Sequence, residues 1–278
     1  LNTPSERHPR SSGAGFFKGF SAADKVASKL VEVKGVFFDA GDTLFEVKGG
    51  VGRVYAEVAG RFGVSVESAQ IQRRFLSAWK GMPPLVFPGV SGGGLLSLEK
   101  GWWRTIVEKV FEGVTIPDFD RFFDAVYAVF EGEEAWELFP ETKEVLEDLK
   151  AAGYRLGVIS NFDSRIFSIC DRLQIRAYFD DIVISTHAGA AKPSPRIFQS
   201  ALRRLSLVPS EALYVGDSPV HDDAGARAVG MHSVLIDRKG RHFEETGLRI
   251  KRLEELIDLL GIKKIPGLNN GRRPKRSK

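Results

Sequence analysis

Two spacings of apolar residues divide the chain. Between positions 51 and 130 they recur at i, i+3 and i+4, as in Val51, Val54, Tyr55, Val58, Ala59 and Phe62, which is the stripe of a helix with one buried face. Similar stripes over 69–79, 98–111 and 119–130 predict three more helices. From Pro140 onward the pattern alternates: helical stretches over 141–152, 165–173, 195–205 and 222–229 separate short apolar runs that end at Ile159 or span 181–185, 212–215 and 233–236. Strands alternating with helices predict a parallel sheet with crossover helices, whose ligands lie outside the carboxyl ends of the strands. Val36-Phe37-Phe38 adds one strand ahead of the helical segment.

The expected architecture is therefore α/β: a doubly wound parallel sheet formed by 34–46 and 134–262, with a smaller α-helical cap over 47–133. Hinges at 46–50 and 131–134 join the two. The loop 81–94, with Pro83, Pro84, Pro88 and three consecutive glycines, interrupts the cap and is long enough to approach the ligand end of the sheet. Residues 1–33 read as an N-terminal extension, and 263–278 as a disordered tail.

Composition narrows the function. A length of 278 residues suits a core of about 150–200 residues with an insert. No run approaches the roughly 18 apolar residues of a membrane span, so no membrane role is expected and the cytoplasm is the expected location. A single cysteine, Cys170, excludes an intramolecular disulfide and sits in a helical pattern, where it reads as core filling. The formal charge of +4 hints at nucleic acid, but residues 263–278 hold seven Lys or Arg and no acid, which leaves 33 basic against 36 acidic residues elsewhere. The folded part is mildly acidic, and the tail reads as a solubilising end, so no nucleic-acid partner is expected.

The candidate chemistry sits where the predicted strands end. Asp39 follows Val36-Phe37-Phe38; Ser160 and Asn161 follow the run to Ile159; Lys192 precedes the helix that Pro195 opens; Asp217 ends the run 212–215, with Asp222 and Asp223 shortly after. Taken singly, each reads as a turn residue or a cap; their joint placement points to a site. Acidic oxygens near a phosphate repel it unless a hard cation intervenes, and Mg²⁺ takes protein carboxylates, waters and phosphate oxygens. Asp39 is placed to attack phosphorus, with Lys192, Ser160 and backbone amides around the equatorial oxygens. Asp223 reads as a first-turn helix charge, and His187 and His221 as loop residues.

These four segments in this order resemble the haloacid dehalogenase-like hydrolase superfamily, in particular the subgroup with a helical cap inserted after the first motif. The resemblance covers roughly 34–260. It implies Asp39 as nucleophile, Ser160 and Lys192 as catalytic partners, and phosphate contacts from Ser160, Asn161, Lys192, Ala40 and Gly41. It also implies Mg²⁺ held by Asp39, the Gly41 carbonyl and Asp217, with Asp222 assisting. Position 41 departs from the pattern, since phosphatases of this family carry there a second Asp that moves a proton; Asp42, one residue on, points elsewhere on a tight turn.

The expected activity is Mg²⁺-dependent hydrolysis of a phosphate ester of a small organic molecule. The alternatives are a dehalogenase, a carbon–phosphorus hydrolase, which needs a cap lysine near the substrate, and a phosphate- or partner-binding protein with vestigial catalysis, which Gly41 keeps open. Trp79, Trp102, Trp103 and Trp136 read as cap core. Trp102 and Trp103 cannot share one direction on a helix, so one of them is a candidate for the pocket mouth. Arg53 and Arg104 are candidate anchors for a second anionic group.

Overall fold

The computed structural model describes residues 30–241 and 247–262. In chain order it contains strands β1 (Gly35–Phe38) and β2 (Phe45–Val47), helices α1 (Val51–Arg61), α2 (Ser68–Lys80), α3 (Gly92–Val110) and α4 (Phe119–Glu131), and strand β3 (Trp136–Leu138). There follow α5 (Thr142–Ala151), β4 (Arg155–Ser160), α6 (Arg165–Arg172), β5 (Asp181–Ile184), α7 (Ser185–Ala188), α8 (Pro195–Arg204) and β6 (Ala212–Gly216). A π-helical turn (Pro219–Ala224), α9 (Gly225–Ala228), β7 (His232–Ile236), β8 (Leu248–Ile250) and α10 (Glu255–Leu259) complete it. The basic tail and residues 1–29 lie outside the described residues. Of the expected extension, Leu30 and Val33 are buried against the sheet.

The main sheet has the order β5-β4-β1-β6-β7-β8, every pair parallel. β1 is central, and all four of its residues are buried. Side chains alternate faces along a strand: Val36 and Phe38 join a cluster with Val145, Leu149, Ile166 and Ile169 from α5 and α6, whereas Phe37 joins Ile197, Phe198 and Ala201 from α8. This is the doubly wound arrangement that the alternating pattern predicted. Strand order reverses direction at β1, so the crevice beside the C-terminal end of β1 is where such a sheet places its ligand.

Helices α1 to α4 bury a second cluster around Tyr55, Ile106, Val110, Phe122 and Phe130. The chain enters and leaves them through β2 and β3, which pair antiparallel with Phe45 opposite Leu138 and Val47 opposite Trp136. Those segments border the expected hinges; Phe45 and Trp136 meet edge to face at 5.3 Å, and this contact favours a ribbon over loose connectors.

Three further differences from the sequence reading have local causes. Helix α3 begins at Gly92 instead of Leu98; glycine disfavours helix by about 1 kcal/mol, but the early turn lets Leu95 and Glu99 reach buried positions. The expected helix start at Asp222 is a wide π turn in which the amides of Asp222 and Asp223 both donate to the Ser218 carbonyl, at 3.0 and 3.1 Å. β8 and α10 are too short to leave a periodic signal, yet Ile250, Leu256 and Ile257 are buried.

Helices α1 and α2 approach closely at Gly52, whose added Cβ would lie 2.3 Å from the Ser68 carbonyl oxygen and 2.7 Å from the Gln72 amide. Gly52→Ala is expected to lower stability by about 1–3 kcal/mol, as overpacking does. Gly60→Ala, on the same helix with no atom within 4 Å of the new carbon, is expected to raise it by about 0.4–1 kcal/mol. Thermal denaturation of both variants checks the pair; equal shifts would refute the packing account.

Candidate active site

Asp39 leaves β1 with its amide donating to the Val215 carbonyl at 2.9 Å, so the central sheet fixes the position of its carboxylate. Lys192 arrives from the loop before α8 with its side chain almost fully buried, and its Nζ lies 2.7 Å from Asp39 Oδ1 and 2.6 Å from Asp222 Oδ1. It also donates to the Tyr214 hydroxyl at 2.9 Å. That hydroxyl stands 3.0 Å from Asp222 Oδ1 and 2.9 Å from the Ile159 carbonyl. Asp222 is closed on its other side by the Ser218 amide at 2.9 Å.

Burial disfavours the charge on Lys192, but Asp222 and Asp39 outweigh it and raise the lysine pKa. Asp39 is pushed up by burial and by Asp222, against the pull of Lys192 and of the Ser160 hydroxyl. For this mutually dependent group the charged lysine is the state the geometry supports, because it faces two carboxylates at hydrogen-bond distance.

The loop carrying Lys192 is held by Asn161, whose Oδ1 accepts from the Lys192 amide (2.7 Å) and whose Nδ2 donates to the Lys192 carbonyl (3.0 Å). The Asn161 side chain is thus spent on positioning, and only its backbone is left for an anion. Ala40 is fully buried and likewise offers only backbone. At Gly41 an added Cβ would meet nothing within 4 Å. Asp42 has a left-handed φ of 56°, and its exposed carboxylate lies 3.6 Å from Lys239 Nζ.

Carboxylate oxygens of Asp39, Asp217 and Asp222 all lie within 4.8 Å of one another. Among the described residues Asp217 has no ion-pair partner, and burial together with Asp39, Asp222 and Asp42 pushes its pKa up to about 8. An oxygen-only donor set this crowded, in which the neighbouring carboxylates raise the pKa of Asp217, fits a hard divalent cation. Asp39 and Asp217 have oxygens available for one. Asp222, with both oxygens engaged, supports the group from behind.

The cap completes a cavity of about 540 Å³ over these residues, walled by Trp79, Lys80, Trp102 and the segment from Met82 to Leu85. The proline-rich loop thus reaches the site, as its position suggested. Trp102 faces this cavity and donates from Nε1 to the Pro83 carbonyl at 3.1 Å. Trp103 turns away and donates to Asp163. Arg53 and Arg104 do not serve as anchors: Arg53 binds Glu57 and the Lys48 carbonyl, and Arg104 binds Glu108 and Asp120 outside the cavity. His221 lines the cavity, while His187 lies 3.0 Å from the Ser164 hydroxyl.

Sequence reasoning missed several polar groups at this end of the sheet. Tyr214 reads as one more apolar position in a strand. Asp163 and Arg165 form a buried bidentate pair, at 2.9 and 2.6 Å, and the guanidinium carbon lies 4.7 Å from the Trp103 ring and 4.3 Å from the Tyr127 ring. Glu99, buried on α3, accepts from the Ser164 amide and hydroxyl at 3.2 and 3.0 Å. The Asp-x-Arg spacing was the one available signal, and its partners Trp103 and Tyr127 lie on α3 and α4, distant in sequence.

A model of the haloacid dehalogenase-like hydrolase family matches residues 33–230. The chain belongs to that family. It is 34% identical over 203 residues to mouse "Haloacid dehalogenase-like hydrolase domain-containing protein 3", covering 72% of this chain and 80% of the relative. It is 28% identical over 254 residues to a glyceraldehyde 3-phosphate phosphatase of Methanothermobacter thermautotrophicus, covering 83% and 99%. A crystal structure of a HAD phosphatase from Thermococcus onnurineus superposes with a TM-score of 0.59 at 25% identity, covering 84% of this chain and all of that one.

The raised pKa of Asp217 has a consequence for stability. In chelator, the folded state binds a proton that the unfolded chain, with an Asp near 3.9, has released, so stability is greatest at acid pH and falls as pH rises through about 8. Denaturant titrations between pH 5 and 9 (an assay range of roughly ±2 units around neutrality) are expected to show this fall, and Asp217→Asn is expected to flatten it. An unchanged slope in that variant would reassign the effect.

Proposed function

We propose that this protein is a Mg²⁺-dependent phosphatase acting on a small organic phosphate through an aspartyl-phosphate. The observation that carries this reading is the buried Lys192 cation pinned against Asp39 at the carboxyl end of the central strand, beside the cluster with Asp217 and Asp222. The family match supports the hydrolytic class, and the phosphatase among its relatives supports the phosphate ester.

In this mechanism Asp39 attacks phosphorus, the P–O bond of the ester breaks, and the electron pair leaves on the alcohol oxygen. Water then attacks the same phosphorus, the aspartyl bond breaks, and inorganic phosphate departs with Asp39 restored. Lys192, the Ser160 hydroxyl and the backbone amides near Ala40 and Gly41 stabilise charge on the transferring group. Tyr214 and Asp222 hold Lys192 toward Asp39, and Asn161 fixes the loop that carries it. Mg²⁺, held by Asp39, Asp217 and the Gly41 carbonyl, would supply neutralising charge between the carboxylates and the phosphate.

One observation favours a second reading: Lys80, on the cap, lines the cavity, as a carbon–phosphorus hydrolase requires. A panel of phosphate esters, phosphonates and 2-haloacids, each with and without Mg²⁺, separates the readings. Phosphate-ester hydrolysis that is abolished by chelator and by Asp39→Asn, with the circular dichroism spectrum retained, is the expected result. Phosphonate cleavage lost in Lys80→Ala would favour the second reading, and metal-independent dehalogenation would overturn both.

The absent acid at position 41 predicts a leaving-group dependence. General acid catalysis contributes about 10²–10⁴-fold and matters most for poor leaving groups, so aryl and acyl phosphates are expected to turn over far faster than alkyl phosphates. The site has room for a side chain at Gly41, whose φ lies outside the left-handed region. Gly41→Asp is expected to raise alkyl-phosphate turnover by about tenfold or more and to leave aryl turnover nearly unchanged. Equal alkyl and aryl rates in the wild type, with alkyl activity lost in Asp42→Asn, would make Asp42 the acid.

A further inference from the structure

A second cavity, of about 310 Å³, opens inside the cap beside the catalytic turn. Its walls come from all four cap helices, through Val51, Tyr55, Phe75, Trp103, Val107 and Val126 among others. Gly41, Asp42, Trp79, Asn161 and Phe162 border both this cavity and the one that holds the carboxylates. The two spaces therefore share a border that includes position 41, where an added Cβ would meet no atom within 4 Å.

The one buried cation on its wall, Arg165, is already paired with a buried carboxylate. Its Nε and Nη2 donate to Asp163, and the rings of Trp103 and Tyr127 lie 4.7 and 4.3 Å from its guanidinium carbon. Apart from Arg165, Asp42 and Asn161 at the border, and the hydroxyls of Tyr55 and Tyr127, the lining is aromatic and aliphatic, which favours an uncharged apolar guest. A dry apolar cavity of about 150 Å³ holds benzene, so a space about twice that size suits a two-ring aromatic body.

We infer that the substrate is the phosphate monoester of a bicyclic-sized aromatic alcohol, whose ring system enters the cap cavity past Gly41 while its phosphate meets Asp39. This rests on the phosphatase reading above. Two independent observations converge on it. The cavity accepts an apolar ring, and a phenolic oxygen, with a pKa of about 10 like that of tyrosine, departs as an anion without the acid that position 41 lacks. The P–O(aryl) bond breaks as Asp39 bonds to phosphorus, the electron pair stays on the aryl oxygen, and solvent supplies its proton.

The test has one arm that needs no turnover. Calorimetric titration of the full chain in chelator with 2-naphthol is expected to show binding, weakened about tenfold or more in Val126→Phe, which fills the cavity. Val51→Phe, at a half-buried position on the same wall, serves if Val126→Phe fails to fold. The second arm compares kcat/KM for 2-naphthyl, phenyl and acetyl phosphates. Naphthyl is expected to exceed phenyl by about tenfold or more in the wild type, and the naphthyl-to-acetyl ratio is expected to fall in the filled variants. Acetyl phosphate hydrolysis with no naphthol binding and no naphthyl advantage would overturn the cavity inference and leave the phosphatase reading standing. If no phosphate is hydrolysed, that reading fails, and the naphthol titration alone decides what the cavity takes.

Discussion

The arrangement of the site depends on one buried cation. Lys192 stands between Asp39 and Asp222 at 2.7 and 2.6 Å, almost wholly buried, where an unpaired charge would be costly. Lysine desolvation alone would favour a neutral amine; two carboxylates reverse that preference. Every neighbouring feature serves to keep the three together. The sheet carries Asp39, the π turn folds Asp222 back under β6, and Asn161 ties the lysine loop to the end of β4. The same contact that stabilises the charges aims them at one point.

Much of this was legible from the chain, because the relevant signals are local. A strand that ends in a carboxylate, a strand that ends in Ser-Asn, and a lysine ahead of a proline-started helix all leave traces within a few residues. Sheet alternation and the cap's helical stripes are equally local. What stayed hidden depends on contacts between distant positions. Tyr214 looks like core until the fold sets it beside Lys192. Arg53 and Arg104 looked available until their helix neighbours claimed them. Glycines 92–94 looked like a loop because propensity is a weak prior against the burial of Leu95 and Glu99.

Part of the junction between cap and core is polar and buried. Asp163 and Arg165 neutralise each other, Trp103 and Tyr127 cover the guanidinium, and Glu99 receives the Ser164 amide and hydroxyl. Apolar surface alone would let the cap slide over the sheet. Directional bonds fix its register and so fix which cap side chains face the carboxylates. The placement of the cap and the lining of the cavity are thereby tied to the same few residues.

The β2–β3 ribbon carries a mechanical implication. Because the two crossing segments are bonded to each other, the cap is attached by a single stem and cannot turn about either connection alone. Phe45, the first residue of that stem, bridges to Gly41, donates its amide to the Ala40 carbonyl at 3.3 Å and accepts from the Asp42 amide at 2.8 Å. A swing of the cap therefore loads the turn that follows Asp39. The stem that holds the cap and the turn that carries Asp39 are thereby joined through the same backbone hydrogen bonds.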